Sequence, residues 1–535
     1  MRRSVAIGAM LLGILLVPGM SLAQPSTARD GTASAVAQAL DRRDDTIEAF
    51  YAARDFRAAW HDARRVEALA EALRDLAADG LEPADYGAER LLADHRQARE
   101  AGDQAMGRFD TATTRTLLTA LRHLHHGKVD PRRVDPDWEV PINERLPPAA
   151  AIEAAVAAGE IAALFDRVRP SYAPYERLRQ GLSRYRELRR LGGWPRLPEG
   201  PTLRPGDVHP DVARLRERLV RGGEMAVAAA DASILPGATL EAPDPERFDA
   251  ELEAAVKRFQ RRHLLEVDGI VGPQTRAALN VPVGRRIDQI RLNLERARWL
   301  MHGLPEAFVL VDIAGYRLAY FRPNGETWRS RIVVGRPYRR TPSLRSRITH
   351  LTVNPTWTVP PTILREDVIP KVRRDPDYLA RQNMQVITPS GQRLAPWQVD
   401  WSNPGNVMIR QSAGPDNALG QVVVRFPNDH LVYLHDTPAQ GLFAREQRAF
   451  SSGCIRVQGV IEFAQLLLDD SGSERDLRAL LAEGRTRNVP LAEPMPVVLH
   501  YWTVHPDPAG HLEFRPDIYQ RDDALLRALD RPLSS

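Results

Sequence analysis

Near Pro305 the spacing of apolar residues changes, and this limits the fold of the chain more than any other feature. Before that point apolar residues recur at helical intervals, as in Val66, Leu69, Leu73 and Leu76 and again in Leu117, Leu118, Leu121 and Leu124. After it, Ala307–Ile313, Arg317–Phe321, Arg331–Val334 and Thr349–Val353 read as short strands, punctuated by Gly315, Asn324-Gly325 and Gly335-Arg336-Pro337. One core cannot serve both patterns over 535 residues, so the expected class is α+β and multidomain.

The helical part divides further. Residues 24–204 are expected to form several short packed helices, broken at Leu146-Pro147-Pro148 and near Trp194-Pro195. His123, His125 and His126 lie close together there, but the nearest following acid, Asp130, stands beyond Gly127, so core or solvated histidines fit better than a metal site. Residues 205–283 predict three helices, carried by Val212-Leu215-Leu219, Leu252-Val256-Phe259 and Thr275-Ala278-Leu279, with an Ala-rich stretch from Glu224 to Pro245. Asp268-Gly269 supplies a tight turn and Gly272-Pro273 a helix start.

A connecting helix is expected within 284–304, then a β-rich domain over 305–520 and a tail over 521–535. Inside that domain the strand pattern lapses at about 362–415 into a charged helical and polar stretch, read as a helical and loop insertion capping the site. Strands resume at Gln421–Phe426 and Leu431–His435 around a Pro427-Asn428-Asp429 turn. A helix is expected over Ile461–Leu468 and a late strand pair over Met495–Val504 and His511–Phe514.

At the N-terminus, Arg2 and Arg3 precede an apolar run from Val5 to Val17, and Ser21-Leu22-Ala23 offers small residues for cleavage. Residues 1–23 therefore read as a secretory signal peptide, the only expected membrane association, because the run is short for a bilayer span. The formal charge of +4 falls to +2 without Arg2 and Arg3, and mixed-sign stretches such as Arg179 to Arg190 argue against a nucleic-acid partner.

Cys454 is the only cysteine, so no internal disulfide can form, and an exported lone thiol is an intermolecular bridge, an inert core residue or a nucleophile. Its neighbourhood favours the last. Tyr433-Leu434-His435 ends a strand, and 19 positions later Ser451-Ser452-Gly453-Cys454-Ile455-Arg456 brings a thiol behind small residues that let the backbone turn sharply. An ordinary thiol, with a pKa of about 8.5, needs a base, and His435 can supply it. Backbone amides such as that of Gly453 could face an oxyanion, and Tyr433 shares a strand face with His435 and could orient the base or meet the substrate carbonyl. A main-chain carbonyl, rather than Asp436, is expected to orient the imidazole. Arg456 either holds a carboxylate or braces the loop.

His435, its spacing to Cys454, and Ser451-Ser-Gly-Cys-Ile-Arg-Val457 resemble the signature of L,D-transpeptidase catalytic domains, with Ser452 where many members carry histidine. Val334-Gly-Arg-Pro337, Val353-Asn-Pro-Thr-Trp-Thr-Val-Pro-Pro361, Asn417-Ala-Leu-Gly420 and Tyr501-Trp-Thr503 are similar to the large subgroup with a helical scaffold. Ala255–His263 and Val267–Asn280 resemble the peptidoglycan-binding type 1 domain, and the resemblance spans about residues 205 to 520.

The resemblance implies acyl transfer through a Cys454 thioester, with His435 as acid and base, release of D-Ala from a tetrapeptide stem, and a 3-3 cross-link, with no metal or organic cofactor. Ser452, Arg456, Asn354 and Trp357 are implied at the substrate, although Asn354-Pro355 and Trp357 also read as a turn and a core aromatic. The implied setting is the periplasm of a Gram-negative envelope, the partners are stem peptides, the sacculus and other wall synthases, and carbapenems are implied inhibitors. Stem-peptide carboxypeptidase or thiol endopeptidase activity, and a non-catalytic wall-binding role, are the alternatives.

Overall fold

The computed structural model describes residues 31–40, 44–138, 140, 146–226 and 244–533. The expected signal peptide, and most of the Ala-rich stretch between Glu224 and Pro245, lie outside the described residues. Among the described residues no helix is long and apolar enough to cross a membrane.

The first unit is helical: α1 (Gly31–Ala39), α2 (Asp45–Ala52), α3 (Ala63–Asp75), α4 (Leu91–Glu100), α5 (Asp103–His126), α6 (Ala149–Ala158), α7 (Ile161–Val168) and α8 (Ala173–Arg190). Local chemistry sets several ends. Asp62 caps α3 through Arg64 N–H, and Gly127 stops α5. Val66, Leu69 and Leu73 of α3 meet Leu117, Leu121 and Leu124 of α5 in one core. His123 is spent on Tyr86 and His125 on the Val168 carbonyl, and no metal-binding group occurs among the described residues.

A smaller unit follows, with α9 (Pro210–Gly222), α10 (Ala250–Arg262) and α11 (Pro273–Leu279) around Leu215, Leu252, Val256, Phe259 and Leu279. Its turn is locked by one side chain: Gln260 donates to Asp268 and the Ile270 carbonyl and accepts from Gly269 N–H.

Helix α12 (Val283–Leu300) is more than a connector, because polar side chains along it are buried and matched to neighbours on several sides. Glu295 accepts from Val129 N–H at 2.7 Å and from Arg298 at 2.5 Å. Arg298 donates onward to the Asp79 carbonyl and to Tyr175. Asn293 exchanges hydrogen bonds with Thr503 of the following domain, and Arg296 pairs with Asp522 at 2.7 Å.

In the C-terminal domain β1 (Phe308–Asp312), β2 (Arg317–Phe321), β3 (Thr327–Gly335), β4 (Leu344–Val353), β9 (Val422–Arg425), β10 (Leu434–His435), β11 (Ala449–Ser451), β12 (Ile455–Val457) and β13 (Arg487–His500) form one sheet. Its order is β11-β3-β12-β10-β9-β4-β13-β1-β2, and β2 also pairs with β3, closing the sheet on itself. The interior is filled from Val311, Leu318, Ile332, Ile348, Val424, Leu434, Ile455 and Val497, with Phe463 and Leu467 from α16 (Val460–Asp470). α17 (Leu477–Ala482) follows.

Several expectations need correction. The insertion is not only helix and loop: besides α13 (Pro361–Ile363), α14 (Ile369–Arg374) and α15 (Tyr378–Arg381), it builds a sheet ordered β5 (Trp357–Thr358), β8 (Met408–Gln411), β6 (Met384–Ile387), β7 (Arg393–Leu394). Strands this short carry too few alternations to be seen in sequence. They enclose a core of their own containing Val359, Val372, Leu379, Val386 and Ile409. The late strand pair is divided: Met495–His500 belongs to the long β13 in the main sheet, whereas β14 (Val504–Pro506) pairs with β15 (Leu512–Phe514). β9 and β10 do pair antiparallel, but residues 426–433 join them instead of a tight turn. The tail is largely a helix, α18 (Asp522–Leu529), whose Leu525 and Leu529 enter the first unit's core.

Both side chains of the Glu295–Arg298 pair are fully buried. Glu295→Ala would strand a buried guanidinium and the Val129 N–H, so a loss of about 3–5 kcal/mol is expected in urea unfolding followed by Trp fluorescence. Glu295→Gln should lose less, and an unchanged Glu295→Ala midpoint would refute this role for α12.

Candidate active site

Strand register builds the site. β10 pairs parallel with β12, Leu434 opposite Ile455 and His435 opposite Arg456, and antiparallel with β9, Leu434 opposite Val424 and His435 opposite Val423. Leu434, Ile455 and Val424 fill the core, so the alternate residues face outward. One cross-strand row therefore holds Val423, His435 and Arg456, and the register continued by one residue puts Arg425, Tyr433 and Cys454 in the next. The cleft over these rows is walled by Arg336, Arg339 and Arg340 and roofed by Trp357, Ile363, Asp367 and Lys371 of the insertion.

The turn that presents the thiol is held by side chains the sequence reading passed over. Gly453 has φ +115°, a conformation that L side chains rarely adopt. Ser451 Oγ accepts from Gly453 N–H at 3.1 Å and donates to the Cys454 carbonyl at 2.5 Å. Thr341 Oγ1 donates to the Gly453 carbonyl at 2.8 Å and accepts from Gly335 N–H, while Tyr519 receives Thr341 N–H and donates to the Gly335 carbonyl. At Gly335 a Cβ would lie 2.2 Å from the Arg339 carbonyl oxygen, so the backbone approach itself demands glycine there. The Gly335-Arg-Pro punctuation was the one available signal; Thr341 and Tyr519 carry no local pattern that marks them.

The structure brings most of the expected residues together. His435 is buried, and its Nδ1 lies 2.5 Å from the Asp436 main-chain carbonyl, which puts the proton on Nδ1 and leaves Nε2 as the basic nitrogen. The Asp436 carboxylate instead accepts Gln421 N–H. Tyr433 packs edge-on to His435 at 5.7 Å and stands in the same cross-strand row as Cys454, whose thiol points to the Leu431 carbonyl at 4.0 Å. Arg456 lines the cleft with its Nε buried and without a hydrogen-bond partner, so no bracing bond from that nitrogen is seen. Ser452 accepts from Arg339 at 2.8 Å, and Arg339 also pairs with Glu366 and Asp367 of the insertion.

Two expectations are corrected. Gly453 N–H is already engaged by Ser451 and does not stand open to an oxyanion. Asn354, at φ +45°, is a turn residue whose amide donates to the Leu481 carbonyl, outside the cleft wall, whereas Trp357 does line the cleft. The Asn-Pro pair also read as a turn, and its left-handed backbone agrees with that reading.

Burial and the Arg456 and Arg425 charges push His435 down to about 3, so the imidazole is neutral across the physiological range. Burial likewise pushes the Cys454 thiol up, against the opposing Tyr433 hydrogen bonds and the arginine charges. The resting pair is thus neutral thiol and neutral imidazole. Because the thiol is raised, its thiolate fraction at pH 7 lies below that of free cysteine. Iodoacetamide alkylation of Cys454 should therefore keep climbing as pH passes the ordinary thiol value; a plateau already reached near neutrality would contradict the neutral pair.

Comparison with known proteins locates a scaffold domain at residues 45–182, a "Putative peptidoglycan binding domain" at 209–279 and an L,D-transpeptidase catalytic domain at 306–486. The chain is 37% identical over 218 residues to a "Putative L,D-transpeptidase" of Haemophilus influenzae, a match covering 40% of this chain and 44% of that protein. The catalytic-domain match contains β10, β12 and the cleft residues just described. Residues 306–486 thus match an L,D-transpeptidase catalytic domain, carried on the same chain as a scaffold domain and a peptidoglycan-binding domain.

Proposed function

We propose that this protein is a cysteine-dependent L,D-transpeptidase that forms 3-3 cross-links between peptidoglycan stems outside the cytoplasm, in the periplasm. The observation that carries this reading is the pair of adjacent rows: Cys454, Tyr433, His435 and Arg456 face one cleft from neighbouring strands. The matches to an L,D-transpeptidase catalytic domain and to a peptidoglycan-binding domain support the substrate class.

In the first step Cys454 Sγ attacks the carbonyl carbon of the third stem residue while His435 Nε2 takes the thiol proton. The amide bond to the terminal D-Ala breaks, its nitrogen leaves with the proton returned by the imidazolium, and a thioester remains. In the second step a side-chain amine of a neighbouring stem attacks the thioester, a new amide forms, and the sulfur regains a proton through His435. Tyr433, beside Cys454 in the same cross-strand row, supplies an O–H toward the developing oxyanion. Arg456 receives a stem carboxylate, Ser452 and Trp357 border the donor, and none of these steps calls on a cofactor.

Incubating the mature protein with a carbapenem and weighing it intact tests the nucleophile: an adduct is expected on the wild type and none on Cys454→Ala. Tetrapeptide stems should yield free D-Ala and cross-linked dimers with the wild type alone. Hydrolysed tripeptide without dimers would favour a carboxypeptidase, and neither adduct nor product from folded, reduced protein would favour a wall-binding role.

Arg339 ties the insertion to the nucleophile turn through Glu366, Asp367 and Ser452. We expect the insertion to shield the thioester from water. Arg339→Ala should therefore raise the ratio of hydrolysed to cross-linked product, and an unchanged ratio would remove this role for the clasp.

A further inference from the structure

Arg425 closes β9, whose Val422 and Val424 turn into the core, so Arg425 faces the site. Its guanidinium carbon lies 4.6 Å from the centre of the Tyr433 ring, and its Nε reaches Thr352 Oγ1 at 3.4 Å. Across β4 it stands opposite His350. A single cross-strand row thus runs His350, Arg425, Tyr433, Cys454, and among the described residues Arg425 forms no ion pair and is the only cation stacked on that ring.

We propose that Arg425 is a positioning residue for the nucleophile, acting through Tyr433: the guanidinium holds the phenol ring flat beneath it and polarises the O–H of the residue that stands beside Cys454 in the row. The inference rests on the reading of Cys454 as nucleophile. A cation over an aromatic face draws electron density from the ring, which makes the phenol O–H a stronger donor to a sulfur gaining negative charge. The arginine also restricts the ring to one orientation, so the hydroxyl does not have to be ordered when the thiol ionises.

Other charged or titratable groups face the same space. His435 and Arg456 occupy the neighbouring row, Arg336, Arg339 and Arg340 come from the β3–β4 connection, and Lys371 and Asp367 from the insertion. His430 lies on the β9–β10 link, and His350, beside Arg425, is held below its ordinary value by burial and by the Arg425 charge. Arg425 is distinguished from the other cations among these by its place over the face of the ring, whereas His435 meets the ring edge-on.

Iodoacetamide alkylation of Cys454, followed by intact mass against pH, tests the idea independently of any acyl acceptor, since the chain has no other cysteine. Arg425→Met should slow alkylation at pH 7.5 by about two- to fivefold and move its pH midpoint upward, with Arg425→Lys falling between. In a Tyr433→Phe background the same change should have almost no effect. Equal slowing in both backgrounds would mean the charge acts directly on the sulfur, and no slowing in either would mean Arg425 only packs; each overturns the proposal. Should Arg425→Met fail to fold, Arg425→Lys completes the same cycle with a smaller expected change. A wild type that resists alkylation when folded and reduced would sink the nucleophile reading together with this one.

Discussion

Closure of the main sheet through the β2–β3 pairing is the constraint on which the catalytic domain depends. A closed sheet divides each strand into an inner and an outer face, and a one-residue slip would exchange them. Leu434 and Ile455 are fully buried, so their insertion commits Tyr433, His435, Cys454 and Arg456 to the outside together. β10 and β12 pair over only two positions, and hydrogen bonds alone would hold that register weakly. The two apolar anchors make it specific.

The parallel direction of β10 and β12 matters as much as their adjacency. It requires a crossover, and the chain between His435 and Cys454 supplies one that returns through β11 on the far side of β3. Cys454 consequently stands on a turn, not within a strand. That turn is assembled from Ser451, Thr341 and Tyr519, three hydroxyls that satisfy buried backbone groups and leave the thiol little freedom. Its neutral resting state follows from the same burial, because a desolvated sulfur beside a desolvated imidazole costs least when both are uncharged.

Helix α12 joins the units by a different physics. Buried charges contribute little net stability compared with apolar packing, yet they are costly to mispair, so they define one arrangement. Glu295 and Arg298 reach the scaffold, Asn293 reaches Thr503, and Arg296 reaches Asp522 at the start of α18. The scaffold and the catalytic domain are thereby held in one register, and the final helix of the chain completes the scaffold's core.

Where a pattern was long, the sequence alone carried it. Helical repeats through Leu69 and Leu121, the strand patterns after Pro305, and the Ser-Ser-Gly-Cys-Ile-Arg run with a histidine 19 positions earlier pointed to the fold class, to a candidate thiol–imidazole pair and to the catalytic-domain resemblance, because period and turn chemistry are local properties. Short strands such as Met384–Ile387 and Met408–Gln411 were not legible, since four residues hold too few alternations to stand out. Nor could any local pattern show that Asn354 would spend its amide on Leu481, that Ser451 would occupy Gly453 N–H, or that Arg425 would lie over Tyr433. The Asn354–Leu481 contact spans 127 residues of chain, and the nearer contacts, Ser451 with Gly453 and Arg425 with Tyr433, depend on a turn and a strand register that the closed sheet fixes. The sequence by itself determined which residues could do chemistry; the tertiary structure decided which of them meet, because register and burial are properties of paired strands and not of any one strand.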